Sequence, residues 1–222
     1  ILVPFCRNNL EVWLIYSDDD GLSWSTAREI DGVVEPSWQW VGTGPPASLE
    51  LTTGRVVTPC YHSNAPHWTD GEITQSHLMY SDDGGDSWTL GAHLTTYRYL
   101  TSECQLAPLA NGSLLLNARG ILPRRLQALS DDNGETFGPV SIMPKPLIEP
   151  LEGCEGSTVR HSETGMLFFT IPNNPSPLRY NVSVFTSSDE AESWQLLKVI
   201  EEGRSAYSAL SELRDHTMGL LF

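Results

Sequence analysis

Ser17-Asp18-Asp19-Asp20-Gly21-Leu22-Ser23-Trp24 is the stretch on which the reading of this chain turns, because the chain writes it four times. It returns as Ser81-Asp82-Asp83-Gly84-Gly85-Asp86-Ser87-Trp88 and as Ser130-Asp131-Asp132-Asn133-Gly134-Glu135-Thr136-Phe137. A fourth copy, Ser187-Ser188-Asp189-Glu190-Ala191-Glu192-Ser193-Trp194, puts alanine where the others have glycine. The chemistry is that of a tight turn: carboxylates accept backbone N–H groups, and glycine takes a left-handed position. The closing aromatic packs back on the turn. Ala191 implies either a turn without that left-handed residue or local strain.

Outward from each copy, the flanks read as strands. Val12–Tyr16, His77–Tyr80, Leu126–Leu129 and Val182–Thr186 precede the four motifs, and Leu196–Ile200 follows the last. Gly54–Tyr61, Ser113–Ala118 and Met166–Ile171 are further strand candidates, with Ala110-Asn111-Gly112-Ser113 as a hairpin turn of type I′. The 15 prolines and 18 glycines interrupt almost every candidate helix. Motif starts at 17, 81, 130 and 187 are spaced by roughly 50–60 residues, the period of a propeller blade with loop insertions. The expected fold is therefore an all-β propeller. The 222 residues are read as one partial propeller domain of about four blades, with boxes at 17–24, 81–88, 130–137 and 187–194. The chain begins on Ile1-Leu2-Val3 and stops on the apolar run Gly219–Phe222, so both ends read as cuts through structure.

Composition narrows the function. A net charge of -15 argues against a nucleic-acid ligand, which wants a basic face. No apolar run approaches the ~20 residues of a membrane span. Cys6, Cys60, Cys104 and Cys154 lie too far apart for a CxxC metal or redox site, leaving two disulfides or four buried thiols open. The histidines show no zinc-type spacing, and neither a metal nor a cofactor is expected.

The turn motifs are structural, so chemistry must come from elsewhere. Three stretches offer it: Thr101-Ser102-Glu103-Cys104-Gln105 running on to Asn117-Ala118-Arg119-Gly120, Pro172–Arg179, and Gly203–Leu210. Together with Trp40–His62 and Asp215–Phe222, in this order and over almost the whole chain, they resemble the exo-α-sialidases (neuraminidases), six-bladed propellers with Asp-box, or BNR, repeats. The resemblance implies retaining hydrolysis of terminal sialic acids from sialylated glycans. It makes Tyr207 the nucleophile, Glu103 its base, and Arg119 and Arg179 two members of an arginine cluster for the substrate carboxylate. Those roles suit the chemistry. Guanidinium groups bind a carboxylate bidentately, and a neutral phenol is not repelled by an anionic anomeric centre as a carboxylate nucleophile would be. A phenol of ordinary pKa near 10 needs a base beside it. Taken singly, Glu103 reads as a surface carboxylate, the arginines as rim ion-pair partners and Tyr207 as a packing residue. The four are expected to converge at one end of the blades' central axis.

The family's first arginine, in a Phe/Tyr-Arg-Ile-Pro segment, has no equivalent here; Arg7 is the only early candidate and lacks that context. The family's acid/base aspartate is placed upstream with it, and Asp18, Asp19 and Asp20 are assigned to a turn. The 222-residue chain by itself is accordingly expected to be inactive on natural glycosides. Two alternatives stand beside it: a trans-sialidase, which would share these residues, with Trp68 as an acceptor contact or merely a core or rim tryptophan; and a non-catalytic propeller binding glycan or protein partners, against which the ordered glutamate, two arginines and tyrosine weigh. Sequons at Asn111 and Asn181 and the wording around Glu103 and Arg119 lean toward an extracytoplasmic home (secreted, cell-surface or lysosomal).

Overall fold

A computed structural model describes residues 1–66, 73–94, 96, 99–120 and 124–222. Trp68 lies outside the described residues. Among the described residues every regular element is a strand. The first sheet contains β1 (Leu2–Arg7), β2 (Glu11–Tyr16) and β3 (Arg28–Glu29). The second contains β4 (Trp40–Thr43), β5 (Leu49–Glu50), β6 (Val56–Ser63), β7 (Thr74–Ser81) and β8 (Thr89–His93), with β4 and β5 both pairing β6. β9 (Thr101–Pro108), β10 (Leu114–Gly120), β11 (Leu126–Ser130) and β12 (Ser141–Ile142) form the third. The fourth is β13 (Ser157–Arg160), β14 (Leu167–Pro172), β15 (Tyr180–Ser187) and β16 (Gln195–Arg204). β17 (Ala209–Glu212) and β18 (Met218–Leu221) make a two-stranded fifth sheet, so the four motifs accompany parts of five sheets. All pairings are antiparallel between neighbours, as in the blades of a β-propeller.

The core lies between the sheets, and the two-residue strand period explains why. On β10, Leu114, Leu116 and Ala118 enter a cluster with Val57 and Leu78 of the second sheet. Leu115, one residue out of phase, enters a cluster with Leu167, Phe169 and Phe185 of the fourth. Val12, Leu14, Cys60 and Met79 fill the layer between the first two sheets. Strands buried on both faces read as continuous apolar runs, which is how Leu114-Leu115-Leu116 looks in the sequence. The four cysteines are free thiols, so the disulfide alternative falls away.

Each acidic motif closes the connection into the outermost strand of its sheet. In the first, Ser23 N–H and Oγ donate to the two oxygens of Asp19 at 2.8 and 2.6 Å, and Gly21 N–H donates to Ser17 Oγ at 2.8 Å. Asp83, Asp132 and Asp189 repeat the pattern. The Ser23 and Ser87 hydrogen bonds hold Asp19 and Asp83 down at about 2. In every copy two consecutive residues are left-handed, Asp20–Gly21, Gly84–Gly85, Asn133–Gly134 and Glu190–Ala191. Ala191, at φ +68°, therefore keeps the turn and accepts the strain. One turn differs from its sequence reading. Gly112 is left-handed but Asn111 is not, and Leu109 N–H donates to Ser113 O at 2.8 Å. The hairpin is thus a three-residue loop ending in a left-handed glycine rather than a type I′ turn, because the two strands carry one residue more than a two-residue loop allows.

Candidate active site

Strand direction places the chemistry opposite the acidic motifs. Ser130, Leu114 and Pro108 are register partners at the motif end of the third sheet, whereas Gly120 and Thr101 pair at the other end. Glu103 enters β9 from that second end. Alternation along β9 sends Cys104 and Leu106 into the core toward the second sheet. Glu103 and Gln105 face the other way, where Gln105 Oε1 accepts the N–H of Thr158 at 2.5 Å. Arg119 falls at a register shift between Ala118 and Gly120, an irregularity of the kind that re-aims a side chain.

Arg179 ends the Pro172–Arg179 loop just before β15. Asn174 shapes that loop, accepting Ser176 N–H at 2.9 Å and donating to Tyr180 O at 2.8 Å. Tyr207 sits on the stretch between β16 and β17, where Ser205 N–H donates to Arg179 O at 3.2 Å.

These residues from four loops and strands meet. The phenol of Tyr207 donates a short hydrogen bond to Glu103 Oε1. Arg119 Nη1 donates to Glu103 Oε2 at 2.9 Å and lies 3.5 Å from the Tyr207 oxygen. Arg179 lies with its Cζ 5.5 Å from the centre of the Tyr207 ring. Glu103 is 6% exposed while Tyr207 is 42% exposed, so the base is covered and the phenol faces the opening. Burial first, then the Glu103 charge and the hydrogen bond to it, push the Tyr207 phenol well above its ordinary value. Burial works against the Arg119 charge, but Glu103 outweighs it and the guanidinium stays firmly protonated. Arg7 lies elsewhere, with its Cζ 4.9 Å from the Trp13 ring centre.

A strap between the third and fourth sheets supports all of this, and nothing in the sequence reading singled it out. Glu152 O accepts from Arg119 Nε and Nη2 at 3.1 and 2.9 Å. Gly153 O accepts from Arg179 Nη2 at 3.3 Å. Gly153 is left-handed, and a side chain there would collide with Gly120 O and Arg119 Cγ. Arg125, 1% exposed, holds the strap from below. It donates to Glu149 at 2.9 Å, to Cys154 O at 2.7 Å and to Asn117 Oδ1. Glu155, 2% exposed, accepts Ser208 N–H at 3.0 Å through Oε2, and its Oε1 has no hydrogen-bond partner. Burial pushes this carboxyl up to about 7 against the pull of the Ser208 N–H.

Tyr61 on β6 lies within electrostatic reach of the cluster. Its phenol is raised by burial, opposed by a hydrogen bond with Trp40, and it feels the charges of Glu103 and Arg119. Gly42 has no side chain because the Tyr61 ring occupies that space. Tyr61 and Trp40 both lie inside the Trp40–His62 stretch of the sequence. Only the cross-strand pairing of Gly42 with Tyr61 reveals their place. Beside Arg179 a cleft of about 540 Å³ opens, with Arg204 and Glu152 on its walls.

Antiparallel blades locked by acidic turns, with a tyrosine–glutamate–arginine cluster at the opposite end, define an Asp-box β-propeller fold. The chain belongs to the BNR repeat-like domain family, whose sequence profile matches residues 6–221. Curated relatives of the chain include sialidases. It is 30% identical over 227 residues to a sialidase of Bacteroides fragilis, covering 97% of this chain and 40% of that protein. It is 33% identical over 165 residues to sialidase-4 of Mus musculus, covering 69% and 33% respectively. The chain thus spans about a third to two fifths of the length of these relatives. Among solved structures, the Hadza microbial sialidase Hz136 superposes with a TM-score of 0.75 at 25% identity, over 90% of this chain and 39% of that one. The NanB sialidase of Streptococcus pneumoniae does so with a TM-score of 0.78 at 20% identity, over 96% and 32%, a likeness of fold.

Proposed function

We propose that the protein is an exo-α-sialidase that releases terminal sialic acids from glycans with retention of configuration, through Tyr207 as nucleophile. The observation that carries this reading is the hydrogen-bonded chain from Tyr207 through Glu103 to Arg119. In the proposed reaction Arg179 and Arg119 bind the substrate carboxylate and turn the anomeric carbon toward the phenol. The Tyr207 oxygen bonds to that carbon as its proton passes to Glu103 and the glycosidic bond breaks. The raised phenol pKa fits this order, since a free phenolate would be too scarce at neutral pH and the proton must leave during attack. Water then displaces the tyrosine, passing a proton to the conjugate base of the acid that protonated the leaving group, while Glu103 returns its proton to the tyrosine; the two inversions give net retention, the tyrosine variant of the double-displacement scheme. A neutral nucleophile also avoids placing a second negative charge against the substrate carboxylate.

The acid that protonates a poor leaving group is assigned to none of these 222 residues. On this reading the isolated chain should fail to cleave sialyllactose, whereas the full-length gene product should cleave it. Robust turnover by the isolated chain would overturn that part of the proposal. In the full-length product, Tyr207→Phe should abolish formation of the glycosyl-tyrosine species seen by mass spectrometry after quenching. Glu103→Gln should lower kcat by about 10²–10⁴-fold, the usual weight of general base catalysis. An unchanged rate in either variant sinks the assignment. Release of sialic acid as its α-anomer, followed by proton NMR, tests retention. Transfer to added lactose instead of water would mark a trans-sialidase.

A further inference from the structure

Tyr207 sits on a stretch without strand pairing of its own, half open to solvent. A nucleophile in that position needs anchoring, because misplacement by about 1 Å costs on the order of 10²-fold in rate. The anchors can be named. Ser205 N–H reaches Arg179 O at 3.2 Å on one side. On the other, Ser208 Oγ reaches Thr170 at 2.9 Å and Leu210 N–H reaches Ser157 Oγ at 2.9 Å. The tether nearest the phenol is the Ser208 N–H bond to Glu155 Oε2 at 3.0 Å, one residue beyond Tyr207.

Glu155 is an odd residue to find there. A fully buried carboxyl with an unpartnered oxygen is costly to keep, so a purely structural position favours an apolar side chain or an amide. Its location argues for a role tied to the site. It follows Gly153, whose carbonyl holds Arg179, and the strap that carries it also holds Arg119. It feels the charge of Glu103, which disfavours its own ionisation. It lines a small pocket together with Tyr207, Ser208 and Pro46.

We propose that Glu155 is a positioning residue for Tyr207, holding the phenol against Glu103 by accepting the Ser208 N–H. The proposal rests on the hydrolase reading above for its catalytic consequence, but the contact itself can be tested separately. Because Glu155 accepts from a backbone N–H rather than from a guanidinium, it leaves the arginines free for the substrate carboxylate.

The test uses the full-length gene product carrying Glu155→Gln or Glu155→Met, with Glu155→Ala replacing the methionine variant should that one not fold. Two readouts are taken: steady-state hydrolysis of a sialoside and amide hydrogen exchange at Ser208. Glutamine keeps an acceptor oxygen, so kcat should stay within about 3-fold of wild type and Ser208 should remain protected. Methionine or alanine removes the acceptor. There kcat should fall about 10–100-fold with KM within about 2-fold, and Ser208 should exchange at least about 10-fold faster while Leu210 keeps its protection. Wild-type kcat and protection in the methionine or alanine variant would overturn the proposal. So would equal losses in all variants, since charge rather than the accepted bond would then be at work. If the wild type hydrolyses no sialoside while the exchange pattern follows the variants as stated, the hydrolase reading fails and the contact stands.

Discussion

Ala191 shows how single residues settle the turn geometry. It holds φ at +68°, in a place where the three companion motifs have left-handed glycines at +87° to +100°. A side chain there costs about 1–2 kcal/mol of backbone strain. The same methyl is 3% exposed and packs in the cluster with Phe169 and Leu115, a burial worth about 0.8 kcal/mol before any cavity is counted. The two effects nearly cancel. Ala191→Gly should therefore change the unfolding free energy by less than about 1 kcal/mol in urea titration. Gly134→Ala has no such offset: its Cβ would meet Leu78 Cδ1 at 3.1 Å with φ at +88°. It should destabilise by about 1–3 kcal/mol.

At the scale of strands and straps, two buried polar assemblies make distinct predictions. His77 on β7 pairs in register with His93 on β8, and its Nδ1 lies 3.1 Å from His62 Nδ1 on β6. Trp38 stacks on His62 with ring centres 3.9 Å apart. Burial holds His62 down at about 4 and His77 well below its ordinary value, and His93 is lowered too, partly offset by Glu35. The unfolded chain binds these protons near pH 6.5 and the folded one does not, so stability is complete above about pH 6.5 and is lost as pH falls toward 4. Glu155 pulls the opposite way, because its raised pKa favours the folded state at low pH. The histidine share is thus the difference between wild type and His77→Gln. The variant should show a loss smaller by on the order of 1–2 kcal/mol on going from pH 7.5 to pH 5. Equal pH slopes would dismiss the cluster's contribution.

The second assembly is Arg125 with Glu149, both fully buried. Arg125→Met leaves Glu149 buried without its ion-pair partner and should cost about 3–5 kcal/mol. Adding Glu149→Met should recover part of that loss, the remainder being the acceptors at Cys154, Gly156 and Asn117 that Arg125 no longer serves, and a double variant no more stable than the single one would contradict the pairing account.

Across the whole molecule, the acidic motifs do more than close their own turns. Arg28 of the first sheet donates to Gly85 O and, at 3.0 Å, to Asp86 O in the second motif. Arg55 of the second sheet bonds Asp82 at 2.7 Å and Glu135 of the third motif at 3.2 Å, above the Tyr80 ring. Arg160 of the fourth sheet bonds Glu190 at 2.9 Å, and Glu190 accepts Ala110 N–H from the third sheet at 2.8 Å. Bracketing of this kind, added to shared apolar layers, predicts that the sheets unfold together. Thiols report it. Cys60, Cys104 and Cys154 are buried, and burial pushes the thiols of Cys104 and Cys154 up to about 12. They should stay silent to Ellman's reagent in the folded protein and appear in one step at the urea midpoint. Stepwise release would show sheets that open independently.

The strands were legible because alternation and apolar runs are local properties of the chain. Val12–Tyr16, Leu126–Leu129 and Val182–Thr186 all fall inside β2, β11 and β15. The four turns were legible for the same reason, since a carboxylate, a glycine and an aromatic act within eight residues. The loop type at Asn111, and the choice at Ala191 between a strained left-handed residue and a different turn, were not, because strand length and the neighbouring sheet decide them. Glu103, Arg119, Arg179 and Tyr207 could be named from a family resemblance, and Tyr207 lies 104 residues from Glu103 in the chain. Local sterics thus determined the elements and their repeat. Only the packing of sheet against sheet decided that a phenol, a carboxylate and a guanidinium share one hydrogen-bonded cluster. The same packing turned Arg125 and Glu155, ordinary charges in the sequence, into its buried supports, because burial and partners exist only once distant strands are side by side.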